Sequence, residues 1–285
     1  MYIADGWKDY EVLDTGDGEK LERWGSVILS RPDPQAIWPK QSPSEWAKAH
    51  AVYHRSNRGG GEWEFFKKLP ERWEIGYRDL KFYVHPTNFK HTGLFPEQAV
   101  NWDWMRSLLQ ARPGAKVLNL FGYTGGATVA CAAAGARVTH VDAAKGMVQW
   151  AGENRRLCGL PEERFRWIVD DALKFVAREK RRGNFYDGIL MDPPSYGRGP
   201  GGEVWKLEDA LYGLVDACTG ALSENAVFIL VNSYTTGLQP AVLRNILEMT
   251  AKKTCGGSVD AGEVVLPVKS GGVLPCGASG RWTAR

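Results

Sequence analysis

The stretch Val117-Leu118-Asn119-Leu120-Phe121-Gly122-Tyr123-Thr124-Gly125-Gly126 decides the fold. Its apolar first half predicts a buried strand, and its glycines predict a turn in which the backbone can approach a ligand closely. The small-residue segment Ala127–Ala134 that follows predicts a helix, which ends at Gly135. A helix after such a turn offers unpaired N–H groups to a ligand, although a glycine turn can also be purely structural.

The same strand-and-helix alternation continues along the chain. Further strands are predicted over Arg137–Val141, Phe165–Val169, Phe185–Met191 and Ala226–Val231, and helices over Lys145–Cys158, Ala172–Arg181, residues 207–222 and Pro240–Lys252. The last two predicted strands, Ser258–Val268 and Cys276–Thr283, have no helix between them. Alternation of this kind predicts an α/β fold with a mostly parallel, Rossmann-like sheet, and the final pair predicts an antiparallel terminal hairpin.

The first 85 residues differ in composition and in predicted secondary structure. They carry short extended runs such as Ser26–Leu29 and Lys81–Val84 and no long helical pattern, and they hold six of the twelve tryptophans: Trp7, Trp24, Trp38, Trp46, Trp63 and Trp73. We predict a small β-rich N-terminal domain over residues 1–85 and a larger domain over residues 86–285, opened by a helix at Pro96. The role of the first domain stays open between covering a cofactor, recognising a substrate and forming a dimer contact.

Composition sets broad limits on the function. The 285 residues carry a net charge of +3, which neither requires nor opposes a nucleic-acid partner. The basic run Arg178–Arg182 and Arg198 either contact RNA or form a solvated surface. The five cysteines form no CxxC pair, so neither a disulfide framework nor a metal site is predicted. No apolar run approaches the ~20 residues of a membrane helix, and we expect a soluble cytoplasmic protein of unknown oligomeric state.

Carboxylates follow the predicted strands in a regular way. Asp142 ends the second strand, 20 residues after Gly122, and Asp170 and Asp171 end the third. Such residues can hold a ribose and an adenine amino group, or they can simply cap the next helix. The turn spacing is not the GxGxxG of dinucleotide sites, and it favours S-adenosylmethionine over a nicotinamide cofactor.

The fourth of these strands runs into Asp192-Pro193-Pro194-Ser195-Tyr196. Two prolines fix two φ angles and make this loop rigid. At the carboxyl end of a central strand, its acidic side chain, carbonyl groups and aromatic ring suit an amino group or flat ring held beside a cofactor. We predict that all five residues are catalytic, with Tyr196 stacking on a base; the alternatives are an ordinary turn and a tyrosine that packs in the loop.

Several of these segments resemble a known family. Residues 121–126, Val141-Asp142, residues 170–172 and Asp192-Pro193-Pro194 resemble the class I methyltransferases of the RlmI type, which modify large-subunit ribosomal RNA, and Lys90 to Gln98 is similar to that group's lysine-threonine-glycine segment. The resemblance covers roughly residues 80–285. It implies that S-adenosylmethionine is the cofactor and that its site includes His91, Thr92, Gly93, Phe95, Gln98, Asn119, Phe121, Gly122, Tyr123, Thr124, Gly125, Asp142, Ala143, Asp171 and Ala172. In particular, it implies that Asn119 to Gly125 line the methionine end, that Asp142 holds the ribose, and that Asp171 with Ala172 meets the adenine.

The chain also departs from that family. No recognisable PUA-type RNA-binding domain begins it, and Val231-Asn232-Ser233-Tyr234-Thr235 lacks the cysteine nucleophile that the cytosine-C5 branch needs. Cys131 and Cys218 are predicted to lie in the core, while the position of Cys276 relative to the active site stays open.

We therefore expect methyl transfer to an exocyclic or ring nitrogen of a ribosomal RNA base rather than to cytosine C5. The alternatives are a protein or small-molecule acceptor, a non-catalytic module that binds S-adenosylmethionine, and a nucleotide-dependent oxidoreductase.

Overall fold

The chain forms two compact units. A computed structural model describes residues 1–56, 60–198, 204–235 and 237–284. The N-terminal unit comprises Ile3–Val100 and Val265–Cys276, and the C-terminal unit comprises Met1–Tyr2, Asn101–Val264 and Gly277–Arg285. The domain boundary at residue 85 stays a prediction; in the structure, residues 86–100 and 265–276 group with the N-terminal strands.

The N-terminal unit is rich in strands, as the sequence predicts. After β1 (Tyr2–Ile3), its elements are β2 (Tyr10–Gly16), β3 (Glu19–Trp24), β4 (Val27–Pro32), the short helix α1 (Pro43–Trp46), β5 (Ala51–Arg55), β6 (Gly61–Phe65), β7 (Trp73–Tyr77) and β8 (Leu80–Val84). One sheet has the order β2-β3-β4-β5-β6, and β7 pairs with β8. Leu21 and Leu29 are fully buried, so the alternating apolar side chains supply a core.

The C-terminal unit alternates strands and helices. A 3₁₀ turn at Pro96–Gln98 precedes α2 (Ala99–Leu109), and then come β9 (Lys116–Leu120), α3 (Gly126–Ala133), β10 (Arg137–Asp142), α4 (Lys145–Leu157), a 3₁₀ turn (Glu162–Arg164), β11 (Phe165–Val169), α5 (Ala172–Arg181), β12 (Gly188–Met191), β13 (Tyr196–Arg198), β14 (Val204–Lys206), α6 (Leu207–Thr219), β15 (Phe228–Ser233), α7 (Pro240–Leu247), a π-helical turn (Glu248–Lys252), α8 (Lys253–Cys255), β16 (Ser258–Pro267) and β17 (Val273–Thr283). None of the helices in the described ranges is long and apolar enough to cross a membrane.

The main sheet has the strand order β1-β16-β17-β15-β12-β9-β10-β11. Strands β11, β10, β9, β12 and β15 run parallel, and β17 runs antiparallel to β15. The predicted mostly parallel sheet with an antiparallel end is therefore confirmed. Its central strands read as continuous apolar runs because helices cover the sheet and bury residues such as Ile189 and Ile229 completely.

The strand predicted over Phe185–Met191 is wrong in its first three residues, because β12 begins only at Gly188. Tyr186 and Asp187 instead bond to other segments: the Tyr186 amide donates to the carbonyl of Ala221, and the Asp187 amide donates to that of Lys116. The Asp187 carboxylate also accepts from the Lys116 amide at 2.7 Å. The regular pairing of β12 with β9 and β15 begins at Gly188.

Candidate active site at the carboxyl ends of the parallel strands

Four neighbouring strands end at one edge of the sheet. In the register of the sheet, Leu120 of β9 lies beside Met191 of β12 and Val141 of β10, and Asp142 lies beside Val169 of β11. The segments that leave these strands therefore start next to one another. They carry most of the predicted site residues: Phe121, Gly122, Tyr123, Thr124, Gly125, Asp142, Ala143, Asp171, Ala172, Asp192, Pro193, Pro194, Ser195 and Tyr196.

The turn after β9 has an unusual backbone. Phe121 and Tyr123 have φ values of 57° and 50°, which residues other than glycine rarely adopt. Gly125, with φ 82°, is the N-cap of α3 and gives the first turn of that helix no side-chain cap. A Cβ on Gly122 would lie 2.4 Å from Cε1 of His140, so only glycine fits there. Such stored strain is typical of ligand-binding sites.

Asp142 is oriented by two backbone amides. Its Oδ2 accepts from the Tyr123 amide at 2.9 Å, and its Oδ1 accepts from the Ala144 amide at 2.8 Å. A carboxylate has about four acceptor positions, so each oxygen keeps one for another donor. Ala143 is exposed between the two bonded residues. The arrangement suits the paired hydroxyls of a ribose.

The acidic residues after β11 also serve the helix that follows them. Oδ1 of Asp171 accepts from the Lys174 amide at 2.9 Å and caps α5. Asp170 pairs with Arg178, and Ala172 is buried. The prediction that Asp171 caps a helix is therefore confirmed. Its Oδ2 is the atom that could accept a hydrogen bond from an adenine amino group.

The basic run of α5 is partly neutralised. Arg178 is paired with Asp170, and Arg182 lies 3.5 Å from the carboxylate of Glu179, measured from nitrogen to oxygen. The side chain of Arg198 lies outside the described part of the structure. The run is therefore a weak indicator of nucleic-acid binding.

Three hydrogen bonds hold the diproline loop. The Trp205 indole donates from Nε1 to the Pro194 carbonyl at 2.7 Å, and Thr235 Oγ1 donates to Ser195 Oγ at 2.7 Å. The Leu207 amide donates to the Ser195 carbonyl at 3.1 Å. Tyr196 pairs with Lys206 in the β13–β14 hairpin, and its side chain is 52% exposed. The loop is thus fixed while its aromatic ring faces solvent.

One aromatic contact joins the turn after β9 to this loop. The rings of Phe121 and Trp205 lie 5.7 Å apart between centroids. The same indole that bonds the Pro194 carbonyl therefore packs against the first residue of the glycine turn. Sequence reasoning missed Trp205, because nothing in the residues around it indicates a partner eleven positions earlier.

A buried polar cluster lies beneath the glycine turn. Asn119 donates from Nδ2 to Thr128 Oγ1 at 2.8 Å, and that oxygen lies 2.9 Å from Nδ1 of His140. Burial lowers the pKa of His140 to about 4, so its ring is neutral at pH 7. Asn119 is only 3% exposed, and the structure places it in this supporting cluster. Sequence reasoning missed Thr128 and His140, whose positions in an apolar helix and strand gave no signal.

Five predicted cofactor residues belong to the N-terminal unit: His91, Thr92, Gly93, Phe95 and Gln98. Their segment is anchored within that unit by Arg31, which donates from Nη1 to the Lys90 carbonyl at 2.8 Å, and by Thr87, which donates from Oγ1 to the His91 carbonyl at 2.8 Å. The His91 and Phe95 rings pack edge to face at 5.4 Å. Burial, with nearby Arg31 and Lys90, lowers the pKa of His91 to about 4.

Arg31 itself belongs to a buried ion pair that the sequence did not reveal. It contacts Glu22 through two hydrogen bonds of 2.6 and 2.9 Å, and Tyr10 donates to the same carboxylate at 2.5 Å. Although burial opposes ionisation, the Arg31 charge holds the pKa of Glu22 at about 2. The pair therefore stays charged and fixes the guanidinium that anchors the His91 segment.

None of the three cysteines singled out in the sequence has an activated thiol. Cys131 and Cys218 are fully buried, as predicted, and burial raises the pKa of each to about 12. Cys276 donates to the Leu274 carbonyl at 3.4 Å, and burial raises the pKa of its thiol well above the usual value. All three remain protonated at neutral pH and are poor nucleophiles.

The groups in the C-terminal unit fit an adenosyl cofactor without phosphates. Asp142 keeps acceptors for a ribose, Asp171 keeps one for an amino group, and the strained turn presents backbone rather than a cationic side chain. A pyrophosphate would instead call for a cradle of donors and a nearby lysine or arginine. The chemistry of these groups therefore agrees with the cofactor that the sequence predicts.

Comparison with known proteins gives the same result. A family model described as S-adenosylmethionine-dependent methyltransferase matches residues 40–206. The crystal structure of the SAM-dependent methyltransferase from Agrobacterium tumefaciens is 39% identical, with a TM-score of 0.93, and the match covers 99% of this chain and 93% of that one.

Curated relatives are similar over shorter stretches. Ribosomal RNA large subunit methyltransferase K/L of Syntrophotalea carbinolica is 34% identical over 144 residues, which are 50% of this chain and 19% of that protein. Ribosomal RNA large subunit methyltransferase K of Neisseria meningitidis is 27% identical over 190 residues, 64% of this chain and 53% of that protein. The chain thus spans less than two thirds of the length of either relative.

Proposed function

The chain belongs to the S-adenosylmethionine-dependent methyltransferase family, and we propose that it methylates RNA, with a ribosomal RNA base as the substrate. The observation that carries this proposal is the diproline loop, held by Trp205 and Thr235 at the edge where the glycine turn also begins. The names of the curated relatives support ribosomal RNA as the acceptor.

The chain's own groups have separate tasks toward the cofactor. When bound, S-adenosylmethionine supplies an electrophilic methyl group. Asp142 would hold the ribose, Asp171 with Ala172 would meet the adenine, and the turn from Phe121 to Gly125 would line the methionine end. Asn119 would support that turn from below through its hydrogen bond to Thr128. We retain His91, Thr92, Gly93, Phe95 and Gln98 as proposed contacts of the same cofactor.

Toward the base, the diproline loop would orient a nitrogen. The Pro194 carbonyl already accepts from Trp205, so the groups assigned to the base are the Asp192 carboxylate and the Pro193 carbonyl. They would accept the hydrogens of an exocyclic amino group and direct its lone pair toward the methyl group, with Asp192 accepting the released proton. Tyr196, with its exposed ring, would stack on the base.

A nitrogen acceptor is favoured over cytosine C5. Addition to a pyrimidine ring needs a thiolate nucleophile, and the segment after Val231 offers Ser233, which is 2% exposed. The protonated thiols of Cys131, Cys218 and Cys276 supply no substitute.

The test is transfer of tritiated methyl groups from S-adenosylmethionine to total RNA, protein or metabolites extracted from cells that lack this chain. We expect RNA to be labelled, and nucleoside mass spectrometry then identifies the base. Asp192→Ala should lower the rate roughly hundredfold while cofactor affinity is retained, and the exposed Asp209→Ala should change neither. Label in protein or metabolites alone would disprove the RNA proposal.

A further inference from the structure

The N-terminal sheet separates its side chains into two chemically different faces. Strands β5 and β6 pair with Tyr53 opposite Trp63 and His54 opposite Glu62. Because successive side chains of a strand point to opposite faces, one face carries Tyr53, Arg55, Trp63 and Phe65. The other face carries His54, Glu62 and Glu64, where Nε2 of His54 lies within hydrogen-bond distance of Oε2 of Glu64, at 2.7 Å. The carboxylates of β6 are thus kept away from its aromatic rings.

Two aromatic rings beside Trp63 are exposed, although Tyr53 on the same face is buried. Phe65 is 55% exposed, and its ring lies 6.4 Å from that of Trp63 at an interplanar angle of 31°. The Trp63 indole donates to the carbonyls of Thr87 and Phe89 at 2.9 and 3.1 Å, which fixes Phe89 beside the strand. The Phe89 side chain is 62% exposed. Exposed aromatic rings grouped around one fixed indole are typical of an interaction surface.

Cations border these rings. Arg55 ends β5 on the same face, and Lys90 follows Phe89 directly. Their charges act on each other: burial and several neighbouring cations, Arg55 among them, lower the pKa of Lys90. The nearby Asp33 carboxylate is already paired with Lys20 at 3.4 Å. The region is therefore aromatic with a positive border.

We propose that Arg55, Trp63, Phe65, Phe89 and Lys90, called here the aromatic face, bind a single-stranded segment of the RNA substrate. The proposal rests on the proposed RNA methylation. Bases stack on Phe65 and Phe89, and Arg55 and Lys90 contact the phosphates on either side. Exposed rings combined with cations are how proteins hold unpaired nucleotides, because every base has a flat surface and every linkage has a negative charge. Lys90 precedes His91, so the bound strand runs up to the segment proposed to contact the cofactor.

The experiment measures binding of a fluorescein-labelled oligouridylate about twelve nucleotides long by fluorescence anisotropy. The double variant Phe65→Ala/Phe89→Ala should weaken binding about tenfold or more, because each lost stacking contact contributes substantially. Arg55→Gln should reduce the slope of log affinity against log salt by about 0.7, the value for one phosphate contact on a single strand. Both changes are at exposed side chains, so the fold should persist.

Phe66→Ala is the matched control. Phe66 is 57% exposed, follows Phe65 directly and lies outside the strand. Its variant should bind the oligonucleotide like the unmodified protein. An equal loss in Phe66→Ala and in the double variant Phe65→Ala/Phe89→Ala, or none in either, would overturn the assignment of this face.

Two further measurements separate this proposal from the proposed function and from self-association. If the unmodified protein binds the oligonucleotide through these residues but labels no RNA, the proposed function fails and the aromatic face stands. If it labels RNA and the double variant binds and reacts normally, only the aromatic face fails. A change from dimer to monomer in the double variant by sedimentation, with RNA affinity unchanged, would assign these rings to a second copy of the chain and disprove RNA binding here.

Discussion

Asp142 places a carboxylate at the end of β10 with two backbone amides already bound to it. Asp142→Ala should weaken S-adenosylmethionine binding at least tenfold, because hydrogen bonds to a charged group contribute about 1.5–3 kcal/mol and the variant also releases the Tyr123 amide. Isothermal titration calorimetry measures the affinity. The exposed Asp216→Ala is the control and should bind normally; an unchanged affinity for Asp142→Ala would refute the ribose role.

Trp205 connects the diproline loop to the turn that begins at Phe121. Trp205→Phe keeps an aromatic ring against Phe121 but removes the donor to the Pro194 carbonyl. We expect kcat to fall roughly fivefold, within the 0.5–1.5 kcal/mol of a net hydrogen bond, while cofactor affinity stays the same. Steady-state kinetics and calorimetry measure the two quantities.

Trp73→Phe provides the comparison for Trp205→Phe. It removes a similar indole-to-carbonyl bond, from Trp73 to Trp24 at 2.9 Å, in the N-terminal unit. Trp73→Phe should lower the free energy of unfolding about as much as Trp205→Phe does, because each loses one hydrogen bond, and it should leave kcat unchanged. Equal kcat losses in the two variants would mean that Trp205 contributes only to stability.

At the level of the element, the strand–turn–helix around Gly122 depends on a close approach to β10. Gly122→Ala would place a Cβ 2.4 Å from the buried ring of His140, so the turn or the ring has to move. We expect the free energy of unfolding to fall by about 1–3 kcal/mol, as in overpacked cores, and cofactor affinity to fall with it. Urea unfolding and calorimetry test both effects.

Gly152→Ala is the control for the element. Gly152 lies within α4, and a Cβ there would meet no atom within 4 Å. In a helix interior, alanine is favoured over glycine by roughly 0.5–1 kcal/mol, so this variant should be as stable as the unmodified protein or more so. If Gly122→Ala had the stability and the cofactor affinity of the unmodified protein, the close approach to His140 would not require glycine.

The sequence predicted the elements better than it predicted their partners. The strand Phe165–Val169 and the helix Ala172–Arg181 have the predicted bounds, because their patterns are local. The cluster of Asn119, Thr128 and His140 joins two strands and a helix, and no local pattern indicates which polar residues meet in a core. The loop at residues 192–196 was likewise predicted from its own sequence, but its contact with Trp205 of β14 was not.

For the whole molecule, the overall charge would contribute little to the proposed recognition of RNA. The 36 basic and 33 acidic side chains leave a net charge of only +3. Long-range attraction for a polyanion is therefore weak, and the proposed binding of RNA has to come from local features. The aromatic face is a feature of that kind, because the alternation of a strand separates its rings and Arg55 from the carboxylates of Glu62 and Glu64.

Each unit also contains a histidine that burial keeps neutral. The pKa values of His91 and His140 are about 4, against about 6.5 in an unfolded chain. Between these values the unfolded chain binds protons that the folded chain excludes, so stability falls as the pH drops from about 6.5 toward 4. Each histidine should contribute a loss of at most about 2 kcal/mol between pH 7 and pH 5.

Urea unfolding at pH 7 and pH 5 measures this loss, and His140→Asn tests its origin. The variant removes one of the protons that the folded chain excludes, so the difference in unfolding free energy between the two pH values should shrink, whatever the variant does to stability at pH 7. The same pH difference in His140→Asn and in the unmodified protein would mean that protonation of His140 does not destabilise the fold, and would assign the acid sensitivity to other groups.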